Sequence, residues 1–249
     1  MTEVPVRHFR GRDGVQLAYR ELGEGRPLIL IHGYLGSAMT MLQAGIAGQL
    51  AAQGYRVIMP DLRGHGDSAR PHDPAAYPPD ALVRDAQTLI AHLGLTDYDL
   101  GAYSLGARLG ARLMAVGARP RRAVLGGTGL EPILHAVGRG DKYRRLFAGL
   151  GSYEPDTPEG QMQEYLTSVN ADPVALLNIF DTFADTPGEA LRAVPVPTLV
   201  IAGEDDTERG SAEDLAGVLP HGEVRRVPGD HVSTLLGPEF RDALAAFLA

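Results

Sequence analysis

The sequence predicts an α/β protein: a mostly parallel sheet flanked by helices, with a helical insertion over residues 131–193. Three observations carry that expectation. Short runs that are apolar throughout, such as Leu28-Ile29-Leu30-Ile31, recur along the chain and alternate with stretches of helical periodicity. Strands buried on both faces of a parallel sheet need such runs. Two strand-like segments flank Arg12-Asp13-Gly14 at the start, where Asp-Gly is a strong hairpin signal. Between Leu130 and about Ala193 the strand signal vanishes and only helical patterns remain. The core is therefore expected to comprise 1–130 and 194–249.

Taken in order, Val6 to Arg10 and Val15 to Glu21 read as the hairpin strands. The alternation Val15, Leu17, Tyr19 suggests one solvated face on the second of them. Leu28 to Ile31 is a buried strand ending in His32-Gly33-Tyr34-Leu35-Gly36-Ser37, and one helix is expected from Thr40 to Gln53. Tyr55 to Met59 is the next strand, running into Pro60-Asp61-Leu62-Arg63-Gly64-His65-Gly66-Asp67-Ser68. Prolines mark 71–79 as loop, and Asp80 is placed to cap a helix bearing Leu82, Leu89, Ile90 and Leu93 on one side. Tyr98 to Tyr103 is a strand, followed by a helix whose small residues (Gly106, Ala107, Gly110, Ala111) permit close approach to the sheet. Ala123 to Gly126 is another buried strand. Helical patterns lie near Lys142–Leu150, Glu159–Val169 and Pro173–Phe183, before a strand over Val196 to Ala202. A helix (Ala212–Leu219), a strand (Val224–Val227) and a last helix from Pro238 follow. That helix carries Phe240, Leu244, Phe247 and Leu248 as a core-facing stripe.

Composition narrows the functional classes. A chain of 249 residues with 44% hydrophobic and 22% charged residues is ordinary for one globular domain with an insertion. A net charge of -8, with no basic stripe, argues against a nucleic-acid partner. There are no cysteines, so disulfides, thiolate catalysis and cysteine-based metal sites are excluded. No apolar run approaches the roughly 18 residues of a membrane span, and the N-terminal stretch lacks the apolar core of a signal peptide; a cytoplasmic protein is expected. Trp is absent and aromatics total 6%, which makes a base-stacking platform improbable.

The segment on which the chemistry turns is Leu100-Gly101-Ala102-Tyr103-Ser104-Leu105-Gly106. A strand reversing sharply into a helix can hold one serine at its apex if small residues sit two before and two after it. A serine hydroxyl is a poor nucleophile until a base takes its proton, and the base needs an acid to orient it. His231 follows the last strand, and Asp206 follows the one before it. This small-x-Ser-x-Gly turn resembles the nucleophile elbow of the α/β-hydrolase superfamily, with Ala102 replacing the first glycine of the family pattern. The chain order Ser104, Asp206, His231 is the order that family uses, and the resemblance spans essentially the whole chain.

The resemblance implies a serine esterase-like enzyme with a helical cap at 131–193, acting on a small-molecule acyl substrate without organic cofactor or metal. It implies an oxyanion hole made by the main-chain N–H groups of Tyr34, in the His-Gly-x turn, and Leu105, after the nucleophile. Such donors each contribute roughly 10²–10³ in rate. The family acid commonly falls three residues after the glycine ending its strand, which selects Asp206 over Asp205 and Glu204. His32 is expected to brace the oxyanion turn, and the His65 turn to be architectural. Asp61, His65 and Asp67 lack the histidine spacing of a metal site, and Gly126, Gly127 and Gly129 fit no phosphate loop. Most apolar residues of the cap must pack on the sheet; Phe147, Phe180 and Phe183 are the candidates to line a substrate pocket. Serine at the elbow counts against epoxide hydrolases and haloalkane dehalogenases, which carry aspartate there. Perhydrolysis or haloperoxidase-like chemistry, carbon–carbon hydrolysis, and a non-catalytic binding protein on the same fold remain as alternatives.

Overall fold

The computed structural model describes residues 4–138 and 140–249. Eight strands form one sheet: β1 (Val6–Arg10), β2 (Gln16–Leu22), β3 (Arg26–Ile31), β4 (Tyr55–Asp61), β5 (Asp99–Tyr103), β6 (Ala123–Gly126), β7 (Thr198–Gly203) and β8 (Gly222–Val227). Their order is β1-β2-β4-β3-β5-β6-β7-β8. The first two pairings are antiparallel and the rest parallel. After β3 the chain moves outward to β4 and then crosses back to β5 on the other side of β3. That reversal opens a crevice at the carboxyl ends of β3 and β5, where α/β sheets place their ligands.

The helices follow from apolar faces that the sheet must cover. Between β3 and β4 lie α1 (Ala38–Gln43) and α2 (Ile46–Ala52), before β5 comes α3 (Ala81–His92), and after it α4 (Leu105–Ala115). Between β6 and β7 the chain forms α5 (Glu131–Leu134), α6 (Asp141–Ala148), α7 (Pro158–Ser168), α8 (Pro173–Asn178) and α9 (Gly188–Arg192). The remainder is α10 (Ala212–Val218), α11 (His231–Leu236) and α12 (Pro238–Leu248). Alternate residues of β3 show how the layers divide. Leu28 and Leu30 pack with α1, α2 and α12, whereas Ile29 and Ile31 pack with α3, α4 and α10. Among the described residues no helix is long and apolar enough to cross a membrane.

Three local expectations differ from the structure, each through a distant contact. The face of β2 expected to be solvated is covered: Ala18 and Arg20 are buried as well as Leu17 and Tyr19. The 61–68 turn lies over it, and Arg20 pairs with Asp61 and Asp67. The single helix over 40–53 is broken at Gly45, which adopts φ 76°. There Arg241 donates to the Ala44 carbonyl, an acceptor that a continuing helix would need. Asp80 precedes α3 but does not cap it with its side chain; it holds Arg112 by two hydrogen bonds of 3.0 and 2.8 Å.

Candidate active site

β5 is buried along its whole length and leads directly into Ser104, which has φ 54° and ψ −113°. That backbone conformation is one an L-residue adopts only when its surroundings enforce it. The enforcement is visible in the neighbours. The Ser104 N–H donates to the Gly126 carbonyl at 2.8 Å, and α4 starts at the next residue. A Cβ on Gly106 would lie 2.6 Å from the main-chain oxygens of both Ile31 and His32. Only glycine lets α4 press this closely on the end of β3, so the need for a small residue at 106 has a structural cause. Ala102 is buried with no conflict.

Ser104, His231 and Asp206 come together from three strand ends. His231 Nε2 is 2.9 Å from Ser104 Oγ, and His231 Nδ1 is 2.7 Å from Asp206 Oδ2. His231 is the first residue of α11, where the sequence suggests only a turn, and Asp230 is the N-cap of that helix, accepting from the N–H groups of Val232 and Ser233. Asp206 is buried, whereas Asp205 and Glu204 are exposed. The loop bearing the acid is tied to the loop bearing the histidine through Glu204 N–H to the Val227 carbonyl (2.8 Å) and Asp205 N–H to the Gly229 carbonyl (3.1 Å). Arg209 Nε stands 3.9 Å from the second carboxylate oxygen of Asp206. An imidazole bonded on one side to a carboxylate and on the other to a hydroxyl can accept the hydroxyl proton and stabilise the resulting charge.

The turn after β3 lies against the serine: a Cβ on Gly33 would be 3.3 Å from Ser104 Cβ. Gly36 N–H donates to the Gly33 carbonyl at 3.0 Å and closes the turn. His32 is fully buried, with Nδ1 2.7 Å from the Gly33 carbonyl, and its Nε2 accepts from Leu62 N–H at 3.1 Å. Those two partners require the proton on Nδ1. Burial pushes His32 down to about 4, so it is neutral at neutral pH. His65 contacts the Tyr34 carbonyl through Nε2 and the Arg63 carbonyl through Nδ1. Burial, helped by neighbouring His32, holds it at about 4 against the pull of both carbonyls. His32 therefore braces the turn through Nδ1–H, and neutral His65, with one N–H for two carbonyls, braces it in the tautomer that carries the proton on Nε2. The Asp61 carboxylate is likewise occupied, accepting from the N–H groups of Ala38 and Asp67. Among the described residues no acceptor within the protein takes the Tyr34 N–H. Leu105 opens α4, where main-chain N–H groups lack an intrahelical partner.

The model of a family described as alpha/beta hydrolase fold matches residues 26–138. Over an alignment of 259 positions the chain is 30% identical to the non-heme chloroperoxidase CPO-A1 of Kitasatospora aureofaciens, covering 88% of this chain and 89% of that protein. The chain belongs to the α/β-hydrolase family. A non-heme haloperoxidase of Rhodococcus erythropolis is 29% identical, with 87% of this chain and 89% of the relative covered. The crystal structure of a hydrolase from Pseudomonas aeruginosa PA01 is similar with a TM-score of 0.79 and 25% identity, covering 98% of each chain.

In this α/β-hydrolase the aromatic residues of the β6–β7 segment are distributed unevenly around the site. Phe180 packs on Tyr34 with ring centroids 4.9 Å apart. Phe147 is buried, with its ring 6.1 Å from that of Tyr143. Phe183 lies beneath the Arg108 guanidinium and lines, with Leu105 and Ile133, a cavity of about 40 Å³. That volume is room for about three water molecules. Tyr143, 4.5 Å from the Tyr34 ring, was not legible as a site residue, because the pattern around it signals only a helix. Nor does the sequence pattern mark Tyr103. Its hydroxyl donates to the His231 carbonyl at 2.7 Å, and its ring lies 5.4 Å from the imidazole. Its place next to the serine at the elbow is the one signal that could have marked it.

Proposed function

We propose that the protein is a serine hydrolase that cleaves a carboxylic ester, or a related acyl bond, through an acyl-enzyme on Ser104. The observation that carries this reading is the unbroken relay from Asp206 through His231 to Ser104, with contacts of 2.7 and 2.9 Å. In the proposed reaction Ser104 Oγ attacks the substrate carbonyl carbon while His231 Nε2 takes the hydroxyl proton. The carbonyl electrons move onto oxygen, which the Tyr34 and Leu105 N–H groups receive. Collapse of the adduct expels the alcohol, protonated by His231, and leaves the acyl-serine. Water then repeats the attack with His231 as base, releasing the acid and restoring the serine. Asp206 holds the imidazole tautomer and offsets its charge. The 131–193 segment acts as a cap, with Phe180 and Tyr143 over the oxyanion turn; Phe147 supports Tyr143, and Phe183 backs Leu105.

A fluorophosphonate probe should label Ser104 in the wild type and not in Ser104→Ala. That variant should lose ~10⁴–10⁶ of kcat on aryl esters while remaining folded. An unlabelled wild-type protein, or normal turnover by folded Ser104→Ala, would remove this function. A second reading has support from the named activities of the haloperoxidase relatives, 29% and 30% identical. Hydrogen peroxide in place of water would release a peracid from the same acyl-enzyme. Peroxide-dependent halogenation in the presence of a carboxylic acid, lost in Ser104→Ala, would favour it.

A further inference from the structure

The turn expected to supply the oxyanion donor is held from two sides. Each of its three successive carbonyls has its own partner. The Gly33 carbonyl faces His32 Nδ1, the Tyr34 carbonyl faces His65 Nε2, and the Leu35 carbonyl accepts from the Tyr165 hydroxyl at 2.9 Å. The two histidines belong to the core, adjoining β3 and β4. Tyr165 belongs to α7, in the β6–β7 segment. A reciprocal bond runs the other way: the Tyr34 hydroxyl donates to the Leu176 carbonyl of α8 at 2.9 Å, in a buried environment. The Tyr34 ring is also packed between Tyr143 of α6 and Phe180. Three helices of the β6–β7 segment, together with Phe180 just after α8, thus grip a turn of four residues.

We propose that Tyr165 and the Tyr34 side chain are positioning residues, through which the helical segment sets the orientation of the Tyr34 N–H toward the reacting oxygen. This inference rests on the serine-hydrolase reading above. Its physical basis is the softness of the backbone. Between planar peptide units only φ and ψ can rotate, so a short turn is rigid to the extent that its carbonyls are held. Displacing α7 and α8 together by an ångström or two breaks both tyrosine bonds while leaving the histidine bonds intact. The turn then keeps its place beside Ser104 but loses one of its constraints. A hydrogen-bond donor worth 10²–10³ in rate depends on being aimed before the reaction begins. On this account the segment governs the rate of the chemical step as well as entry to the site, and a bound acyl group that fixes the segment also completes the oxyanion hole.

The test uses Tyr165→Phe, Tyr34→Phe and the double variant in the full chain, each removing a hydroxyl and keeping the ring. Two probes of matched shape are compared: an aryl trifluoromethyl ketone, which adds to the serine and forms an oxyanion, and the unfluorinated ketone, which binds without adding. Each single variant should lower kcat on a short aryl ester roughly three- to tenfold, the range of one net hydrogen bond. KM should stay within about twofold, affinity for the trifluoromethyl ketone should fall by the same factor as kcat, and affinity for the plain ketone should hold. Equal weakening of both ketones, or unchanged kcat in the double variant, would overturn the inference and leave the tyrosines a packing role. A wild-type protein that forms no adduct with the fluorinated ketone would overturn the serine-hydrolase reading itself, which is a different result.

Discussion

Replacing Asp206 by asparagine tests the proposed relay where geometry makes the sharpest statement. In the wild type Oδ2 accepts from His231 Nδ1 at 2.7 Å, while Oδ1 faces Arg209 Nε at 3.9 Å. An asparagine side chain presents one oxygen and one amino group to those two neighbours. The arginine is a donor only, so the amide oxygen turns toward it and the amino group faces His231 Nδ1. The imidazole must then carry its proton on Nε2, the nitrogen 2.9 Å from Ser104 Oγ, and can no longer accept the serine proton. Loss of the negative charge also removes the stabilisation of the imidazolium. Together these place the expected loss near ~10⁴ in kcat, or about 5 kcal/mol of barrier. Asp205→Asn is the matched control: that side chain is exposed, and its main-chain bond to Gly229 survives the substitution. It should cost less than about twofold. Steady-state hydrolysis of an aryl acetate, on variants first shown to melt cooperatively, reads both numbers. A larger defect in Asp205→Asn, or an Asp206→Asn enzyme within tenfold of wild type, would refute the assignment.

Tyr103→Phe removes the 2.7 Å bond to the His231 carbonyl and keeps the ring, so kcat should fall up to about tenfold. The downfield proton resonance of the His231–Asp206 bond should broaden, and an unchanged spectrum would deny Tyr103 a part in holding the histidine. Because burial holds His32 at about 4, against about 6.5 when unfolded, the unfolded chain binds more protons between those values. Its contribution to stability is complete above about pH 6.5 and is lost as pH falls to about 4. Urea unfolding should therefore show wild type losing more stability from pH 7 to 4.5 than His32→Asn does; parallel curves would contradict the sign. Phe180→Ala should shift preference among acyl lengths more than it changes the rate on an acetate ester, and a uniform loss that tracks the melting temperature would reduce Phe180 to packing.

What could be read from the sequence followed from short-range rules. Apolar runs located β3, β5, β6 and β7, because strands buried on both faces need them; Ser104 and Asp206 lie just beyond two of these, and His231 lies beyond the short, largely exposed strand β8, which brings the three to one end of the sheet. The residues that escaped notice act through contacts with no sequence period. Tyr165 bonds Leu35 across 130 positions, Tyr103 bonds His231 across 128, and Arg241 breaks the first helix from nearly 200 residues away. Asp80 looked like a helix cap because its local pattern is that of one, yet Arg112 on the next helix competes for the same carboxylate and holds it. Pattern reading weighs the near partner and cannot see the far one.

The backbone of Ser104, at φ 54° and ψ −113°, has a consequence for how this protein would respond to selection. A non-glycine residue in that region costs on the order of 1–3 kcal/mol, a sizeable share of the roughly 5–15 kcal/mol that holds a domain folded. Glycine carries no such cost there. A library enriched only for heat resistance would accordingly favour glycine at 104 and discard the hydroxyl. Survival of heating and retention of turnover pull this position in opposite directions, so a stabilising campaign has to select for both at once.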